Sequence, residues 1–541
     1  MSAESINAMQ VMADAMAVAG ATPQQWASLE WRLDNLYWIV DKEAETVRFR
    51  MNNQQRRFVQ RLWYRNLILK ARQLGFSTLI AVLQLDQALF VPNHNGVIIA
   101  DTLPNSGKLF DKADFAYQHL PDLLREALPV IEHNKGAKLT IEHVDGDGRP
   151  AHSTLAVGVS SRGGTVHLLH VSELGKIALK FPERANEIKT GALPSVPPDG
   201  IAIIESTAEG AFGLFWELCE PAIKRWHDKT PETRLDWRLH FFPWFEAPEY
   251  RLPDEDIPLV EIPPKLNTYF AKLEAELGVK FDAGQRAWYA KTAETLGGKM
   301  KQEYPATPEE AFEQAVEGAV LGEQMTWLRE NGRLGVVPLD PSYPVNTFWD
   351  FGVADATAIW FHQCVGLQHR WFYYHEGTGR GLAHYWINVL EAHRQRHRYQ
   401  WGQHFLPHDA EAEILGEVVT TKRRILEGLG MRNIVVVPRV ATISQGIELM
   451  RLALKGNHWF DKHTADEGKG EDMGAGAGVK CLDGYQFQWN DKAGVWSNEP
   501  LHNWASHGAD AWRQFAQGWT GHSLSNSDAF AKFKRRERRG L

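Results

Sequence analysis

A lysine, an arginine, a glycine and two hydroxyl residues stand close together in KARQLGFST, residues 70–78. Binding a nucleotide polyphosphate takes such a set: N–H groups aimed from a strand–loop–helix turn, a cation on the phosphates, and a hydroxyl for Mg²⁺. In the usual spelling, G-x-x-x-x-G-K-[ST], the lysine follows the last glycine. Here Gly75 is followed by Phe76, then Ser77 and Thr78, and the positive charge lies upstream at Lys70 and Arg72. Ser77 has the place of the metal-binding hydroxyl. Taken alone, a surface loop with two basic residues explains the stretch equally well.

Further groups suited to the same chemistry follow. TVHLLHVSELGK, residues 165–176, reads as an apolar strand ending in an acid, which supplies a carboxylate to polarise an attacking water. Glu173 fits that role, with Ser172 where an aspartate usually holds Mg²⁺ through water. GIAIIESTAEG, residues 200–210, gives a strand ending in Ser206 and Thr207, hydroxyls placed to sense a γ-phosphate. Asn53, Gln54 and Gln55, about 20 residues before the loop, carry amides suited to the adenine edge.

A second constellation is acidic. Asp350 ends VNTFWD, Asp409 ends HFLPHD, and Asp510 lies in SHGADAWRQFA on an expected helix. Asp355 sits at the turn before TAIWFHQ, and His507 lies on the same helix as Asp510; both are accessory candidates. Phosphodiester hydrolysis by two metals needs carboxylates converging on cations about 4 Å apart. Any one of these aspartates would ordinarily be a cap or turn residue. His393 and His397 have i, i+4 spacing but no evident third ligand, and the arginines beside them favour a basic helix end, solvated or facing DNA. EGTGRG, residues 376–381, reads as a turn that places Glu376 near the acidic group.

The elements needed to hold these residues are present in outline. From residue 51 to 215, NLILKA, GVIIAD, STLAVGV, HLLHVSE and GIAIIEST alternate with helical stretches, the mark of a parallel sheet wrapped by helices. Residues 1–50 read as helical. Residues 216–330 carry aromatic and proline-rich loops around helices and read as a lid, and 331–344 as a connector. A second α/β pattern occupies 345–520, with a helix over 381–398 and a glycine-rich exposed loop at 465–478. A basic tail, 521–541, closes the chain.

The chain has 541 residues, enough for roughly three or four domains. Its 44% apolar and 23% charged residues are those of an ordinary soluble protein. The net charge of −8 requires any nucleic acid to be met by local basic patches. Twenty-one scattered tryptophans read as packing. Three distant cysteines, Cys219, Cys364 and Cys481, point to a reducing cytoplasm. No signal peptide and no membrane span are expected.

Together, KARQLGFST, VSELGK, IIESTAEG, FFPWFEAPEYR and QEYPATPEEAF resemble the large terminase subunit of tailed double-stranded DNA bacteriophages. The resemblance spans about residues 50–520. It implies an N-terminal P-loop NTPase with a lid region, followed by an RNase H-like α/β nuclease domain. That family commonly carries its basic residue early in the phosphate loop, which suits Lys70 and Arg72. It further implies an arginine that completes the ATPase site, Arg72 in the same subunit or Arg162 acting on a ring neighbour. Asp350, Asp409 and Asp510, with Asp355, become metal ligands.

The activity implied is ATP-driven translocation of double-stranded DNA into a procapsid, with metal-dependent cleavage of concatemers. ATP and Mg²⁺ are the implied cofactors, with Mn²⁺ able to serve the nuclease. Implied partners are DNA, a small terminase subunit and the portal protein, with a homo-oligomeric ring during packaging, a monomer in solution, and the host cytoplasm as location. Two other readings remain open: a cellular helicase–nuclease of DNA repair, which would need a second motor lobe, and a non-catalytic DNA-binding or capsid-adaptor protein with decayed motifs.

Overall fold

The stretch RNLILK, with the apolar Leu67, Ile68 and Leu69 at its centre, is buried at every position, as expected for a strand covered on both faces. It forms β1, Arg65–Lys70, near one edge of an eight-stranded sheet. The computed structural model describes residues 20–145, 147–158, 164–312, 318–352, 356–414, 420–466, 471–490 and 495–519. The chain divides into two compact units, Met1–Gln314 and Ala315–Leu541.

In the first unit, the sheet comprises β1, β2 (Asn95–Ile99), β3 (Val130–Asn134), β4 (Lys138–Val144), β5 (Pro150–Val157), β6 (Leu168–Ser172), β7 (Ile201–Ser206) and β8 (Arg238–Phe242). Their order is β8-β1-β7-β6-β2-β5-β4-β3. The first six are mutually parallel, and β4 and β3 continue the sheet antiparallel. Five of these strands are those expected from the sequence. β8 falls in the segment expected as a lid, yet it pairs in parallel with β1 from Arg238↔Asn66 to Phe242↔Lys70.

Helices α1 (Asn53–Gln60), α2 (Phe76–Phe90), α3 (Leu103–Gln118), α4 (Leu174–Lys180) and α5 (Gly213–Asp228) connect the strands. α2 is buried nearly all round, and apolar clusters fill both faces of the sheet. Helices α6 (Pro264–Leu277) and α7 (Ala283–Leu296) pack aromatic residues around Trp244, which stacks on Phe281 and Trp288. Within the expected N-terminal helical segment the structure has helix Leu29–Asn35, followed by a hairpin of Trp38–Val40 with Thr46–Arg48. Arg32 pairs with the fully buried Asp86 at 2.7 Å, fastening this segment to α2. Residues 1–19 lie outside the described residues.

The second unit has a nine-stranded sheet of β9 (Leu334–Gly335), β10 (Val345–Asp350), β11 (Ala356–Val365), β12 (Gln368–Thr378), β13 (Trp401–Leu406), β14 (Ile434–Val436), β15 (His458–Asp461), β16 (Thr464–Asp466) and β17 (Glu471–Ala475). β10, β11 and β12 are antiparallel neighbours, while β13 and β14 continue from β10 in parallel. This is the second α/β sheet the sequence implies. Helices α8 (Ile443–Leu454), α9 (Gly476–Gly484) and α10 (Trp504–Gly518) pack together over it.

The glycine-rich stretch expected as an exposed loop instead contributes β16, β17 and the start of α9. Its glycines serve close packing. A Cβ on Gly474 would stand 2.2 Å from the His463 carbonyl oxygen, and one on Gly478 would stand 2.5 Å from the Trp360 ring. Residues 467–470 of that stretch and the basic tail lie outside the described residues. The tryptophans Trp244, Trp349, Trp360, Trp371 and Trp512 are fully buried, in keeping with a packing role. Among the described residues, no helix is long and apolar enough to cross a membrane.

Candidate functional site

The loop between β1 and α2 is held by its carbonyl groups. Tyr250 donates its hydroxyl to the Arg72 carbonyl. Asn52 Nδ2 donates to the Leu74 carbonyl at 3.2 Å, and Gln55 Nε2 to the Gly75 carbonyl at 2.9 Å. Gln73 and Gly75 take left-handed conformations, with φ of 56° and 75°. Gly75 is the N-cap of α2, and no side chain caps the helix. The N–H groups of a first helical turn have no intrahelical acceptor, and a phosphate is a ligand such a turn takes well. A cleft of about 870 Å³ opens here, lined by Lys70, Arg72, Gly75, Ser77, Thr78, Lys112, Glu173, Lys176 and Thr207 among others.

Behind the cleft lining, against Lys70 and Ser77, lies a carboxylate to which the motifs assign no role. Glu205, near the end of β7, is fully buried. Ser77 Oγ donates to its Oε1 at 2.5 Å, and Ser172 Oγ donates to the same oxygen at 3.0 Å. Lys70 Nζ is 3.2 Å from Oε2, and His170 Nε2 is 3.5 Å from Oε1. Burial alone would raise the Glu205 carboxyl, but Lys70, His170 and Ser77 outweigh it and hold the group well below the usual carboxylate range. Burial works against the charge on Lys70 as well, and there Glu205 and Glu173 prevail and raise its pKa.

Glu173 is the first residue beyond β6. It caps α4 in a left-handed conformation with φ 59°, which non-glycine residues adopt uncommonly. Its backbone N–H donates to the Glu205 carbonyl at 2.7 Å, and its Oε2 pairs with Lys176 Nζ at 3.1 Å. The two hydroxyls proposed to read a γ-phosphate differ. Ser206 Oγ accepts from Gly175 N–H at 3.0 Å and donates to the Thr207 carbonyl at 2.6 Å, so it is engaged within the protein. Thr207 Oγ1 is buried without a hydrogen-bond partner and belongs to a residue of the cleft lining.

The remaining candidates divide in the same way. Arg72 lines the cleft, and its guanidinium grips both oxygens of Glu303. Thr78 Oγ1 accepts from Lys112 Nζ at 2.9 Å. Burial lowers the Lys112 pKa, Lys70 adding to the fall while Glu205 opposes it. Gln55 closes a capping box with Asn52 besides holding Gly75. Gln54 donates to the Glu246 carbonyl at 2.8 Å and is not part of the cleft lining. Asn53 is the first residue of α1. Glu209 accepts from Gln302 Nε2 at 2.9 Å. Burial pushes its carboxyl up to about 7, with Glu303 and Glu173 adding to the rise against Lys176. Arg162 lies outside the described residues.

In the second unit, Asp350 ends β10, and α10 packs across β10 and β11. This brings His507 Nδ1 to 3.3 Å from Asp350 Oδ2. One turn further along α10, Asp510 Oδ1 pairs with Arg513 at 2.9 Å and accepts from the Tyr485 hydroxyl at 3.1 Å. Burial pushes the Asp510 carboxyl up to about 6; Arg513 opposes the rise, and the nearby Asp350 adds to it. Asp409 follows β13, parallel neighbour of β10, and forms a 2.6 Å ion pair with Lys422. The structure therefore brings two of the three expected aspartates into mutual influence. Among the described residues, no group of three or more histidine, cysteine or carboxylate side chains is gathered as a metal centre. Asp355 lies outside the described residues. Glu376 accepts from the Tyr374 hydroxyl and has Cys481 Sγ 3.9 Å away.

No role follows from the motifs for Glu205, Glu209 or Glu303, although IIESTAEG and QEYPATPEEAF contain them, and Lys112 lies outside every motif. Glu205 has the clearest signal, an acid inside the largely apolar IAIIES, where a buried charge demands a partner.

No family model and no curated protein matches the chain. Solved structures similar to it include the large terminase of bacteriophage HK97, 13% identical over 90% of this chain and 98% of that one, with a TM-score of 0.41. The large terminase ATPase domain of Thermus phage P74-26 is 17% identical over 47% of this chain and 93% of that one, with a TM-score of 0.32. The P22 large terminase nuclease domain is 11% identical over 34% of this chain and 84% of that one, with a TM-score of 0.25. The family that the sequence motifs resemble and these similar structures are the same, the large terminases of bacteriophages.

Proposed function

We propose that the first unit hydrolyses ATP and the second cleaves DNA, as the motor subunit that packages double-stranded DNA into a viral procapsid. The observation that carries the reading is the cleft at the start of α2. There a buried lysine, a loop hydroxyl, a strand-end carboxylate and an unpartnered buried threonine hydroxyl surround an uncapped helix terminus.

Phosphoryl transfer is mostly positioning and charge stabilisation. N–H groups of the first turn of α2 bind phosphate oxygens. Lys70, with Arg72 at the rim, neutralises their charge. Thr207 donates to the γ-phosphate, and Glu173 orients the attacking water and receives its proton. The donor set at Ser77, a hydroxyl hydrogen-bonded to an ionised carboxylate, fits Mg²⁺, an oxygen-seeking cation. When bound, Mg²⁺ supplies charge neutralisation across the phosphates. Arg162 would complete the site of a neighbouring subunit in a ring.

In the second unit, Asp350 and Asp510 are the carboxylates that fit divalent cations, Mg²⁺ or Mn²⁺, with Asp409 and Asp355 as further ligands. When bound, such ions activate water and stabilise the leaving oxygen of a phosphodiester. His507 orients Asp350, and Arg513 balances the charge of Asp510. The resemblance supports DNA, a small terminase subunit and a portal protein as partners, and the host cytoplasm as the place of work. One preparation assayed for ATP hydrolysis, with and without DNA, and for plasmid nicking tests the reading. Absence of both activities in folded protein sinks it and favours a decayed adaptor.

A further inference from the structure

We infer that Glu205 is the metal-side carboxylate of the nucleotide site, standing one strand away from the position that β6 gives to Ser172. The inference rests on reading the cleft as a nucleotide site and adds the identity of the group that holds its Mg²⁺.

The register carries the first part. β6 and β7 are parallel neighbours, and Ser172 is paired with Glu205 itself. On the other side of β7, β1 pairs Ile68 with Glu205 and runs on to Lys70. A carboxylate on β7 at this level reaches the start of α2 from the strand between the two motifs. Ser172 does not substitute for the missing acid; its hydroxyl donates to Glu205 at 3.0 Å and aims it.

The chemistry of the partners carries the second part. A carboxylate kept only as a counter-ion for Lys70 has no need of Ser77, the hydroxyl in the first turn of α2. Yet Ser77 Oγ and Glu205 Oε1 are 2.5 Å apart. Neighbouring oxygens in an octahedral Mg²⁺ shell, at metal distances of about 2.0–2.1 Å, stand about 2.9 Å apart. A small cation replacing the shared proton contact therefore needs only a slight opening of this pair. The unpartnered, 2% exposed Thr207 hydroxyl, which lines the cleft together with Ser77 and Lys70, marks the site as built for a ligand.

Lys70 gives the third part. Without nucleotide, Glu205 balances the charge of Lys70 in a buried setting. With it, the phosphates take Lys70 and the cation takes Glu205, so neither buried charge is left unpaired, a situation that is costly. Metal and nucleotide then bind as a linked pair.

The test is calorimetric binding of AMP-PNP in Mg²⁺ and in EDTA, read as the ratio of the two dissociation constants. In Glu205→Gln this ratio is expected to fall by about tenfold to a hundredfold, the usual loss when a group orienting or holding a metal is removed. A ratio within about twofold of the parent's, or loss of AMP-PNP binding in EDTA as well, overturns the inference. If the glutamine variant does not fold, Glu205→Asp, which keeps the charge on a shorter side chain, is expected to lower the ratio by at least about fivefold; an unchanged ratio overturns the inference. Parent protein that binds AMP-PNP equally in Mg²⁺ and EDTA overturns this inference alone. Parent protein that binds no AMP-PNP overturns the nucleotide reading itself.

Discussion

Lys70 and Glu205 form an ion pair of 3.2 Å between neighbouring parallel strands, each side chain almost completely shielded from solvent. Such a pair makes Lys70, the lysine proposed to bind phosphate, part of the core as well as of the cleft lining. Lys70→Ala is therefore expected to act twice. It leaves a buried carboxylate short of its cation, at about 3–5 kcal/mol of stability, and it weakens nucleotide binding. Thermal unfolding and AMP-PNP titration check the two effects. Unchanged affinity in folded protein would move the phosphate role to Arg72 or Lys112.

Glu173→Gln should lower ATP turnover by about 10²–10⁴-fold, the usual worth of a positioned general base. AMP-PNP should still bind, since the reading gives Glu173 no phosphate contact. Steady-state turnover near the parent's would remove Glu173 from the mechanism.

Ser206 and Thr207 separate fold from function. Ser206→Ala strands the Gly175 N–H, which donates to that hydroxyl at 3.0 Å, and is expected to cost about 1–3 kcal/mol of stability. Thr207→Val removes a hydroxyl with no partner in the protein, so melting should barely change. Turnover should drop about ten- to a hundredfold, the worth of a hydrogen bond to a charged group at about 1.5–3 kcal/mol. The opposite pattern in paired melts and assays would reverse the two roles.

Glu209 makes stability depend on pH. Its carboxyl rises from an ordinary 4.5 to about 7 in the folded chain. Between those values the native state holds the proton more tightly than the unfolded chain, so stability falls as pH rises through the window. Above it the penalty is complete, on the order of 3 kcal/mol. Glu209→Gln stays neutral and keeps an acceptor for Gln302. Its melting temperature should exceed the parent's at pH 8 and lose that advantage near pH 4.5. A constant difference across the range refutes the assignment.

Asp350→Asn and Asp510→Asn should each reduce Mn²⁺-dependent plasmid nicking by about tenfold to a hundredfold or more, with ATP hydrolysis retained. Asp409→Asn tests whether that carboxylate leaves Lys422, 2.6 Å away, for a cation; nicking should fall there too. EDTA should abolish nicking in the parent. Nicking at the parent's rate in both the Asp350 and Asp510 variants ends the nuclease assignment.

The strands were legible because β1, β6 and β7 each carry a cluster of large apolar residues, and the strand–loop–helix turn because Gly75, Ser77 and Thr78 keep familiar spacing. Less visible were partners joined through space. Tyr250 and Glu303 meet the loop, and Lys112 the first turn of α2, from distant elements, and although FFPWFEAPEYR and QEYPATPEEAF contain the first two, nothing local says what they touch. β8 hid among prolines and aromatics, which read as loop. The glycines of 465–478 suggest an exposed loop, whereas Gly474, with φ 132°, and Gly478 both stand where a side chain has no room. Asp350 and Asp510 stand out in the sequence by type and order, but their influence on one another depends on α10 lying across β10.

The carbonyls of Arg72, Leu74 and Gly75 are each claimed by a side chain from elsewhere in the first unit. An empty loop fixed in this way cannot reverse its peptides to point oxygen atoms at an arriving anion. Its polarity is set when the protein folds, and the conformational entropy is already lost before the nucleotide arrives. Nucleotide affinity should accordingly be enthalpic, and the gain in hydrogen-exchange protection should be confined to the N–H groups that bind phosphate. A loop that ordered on binding would instead show a large unfavourable entropy and a strong gain in protection.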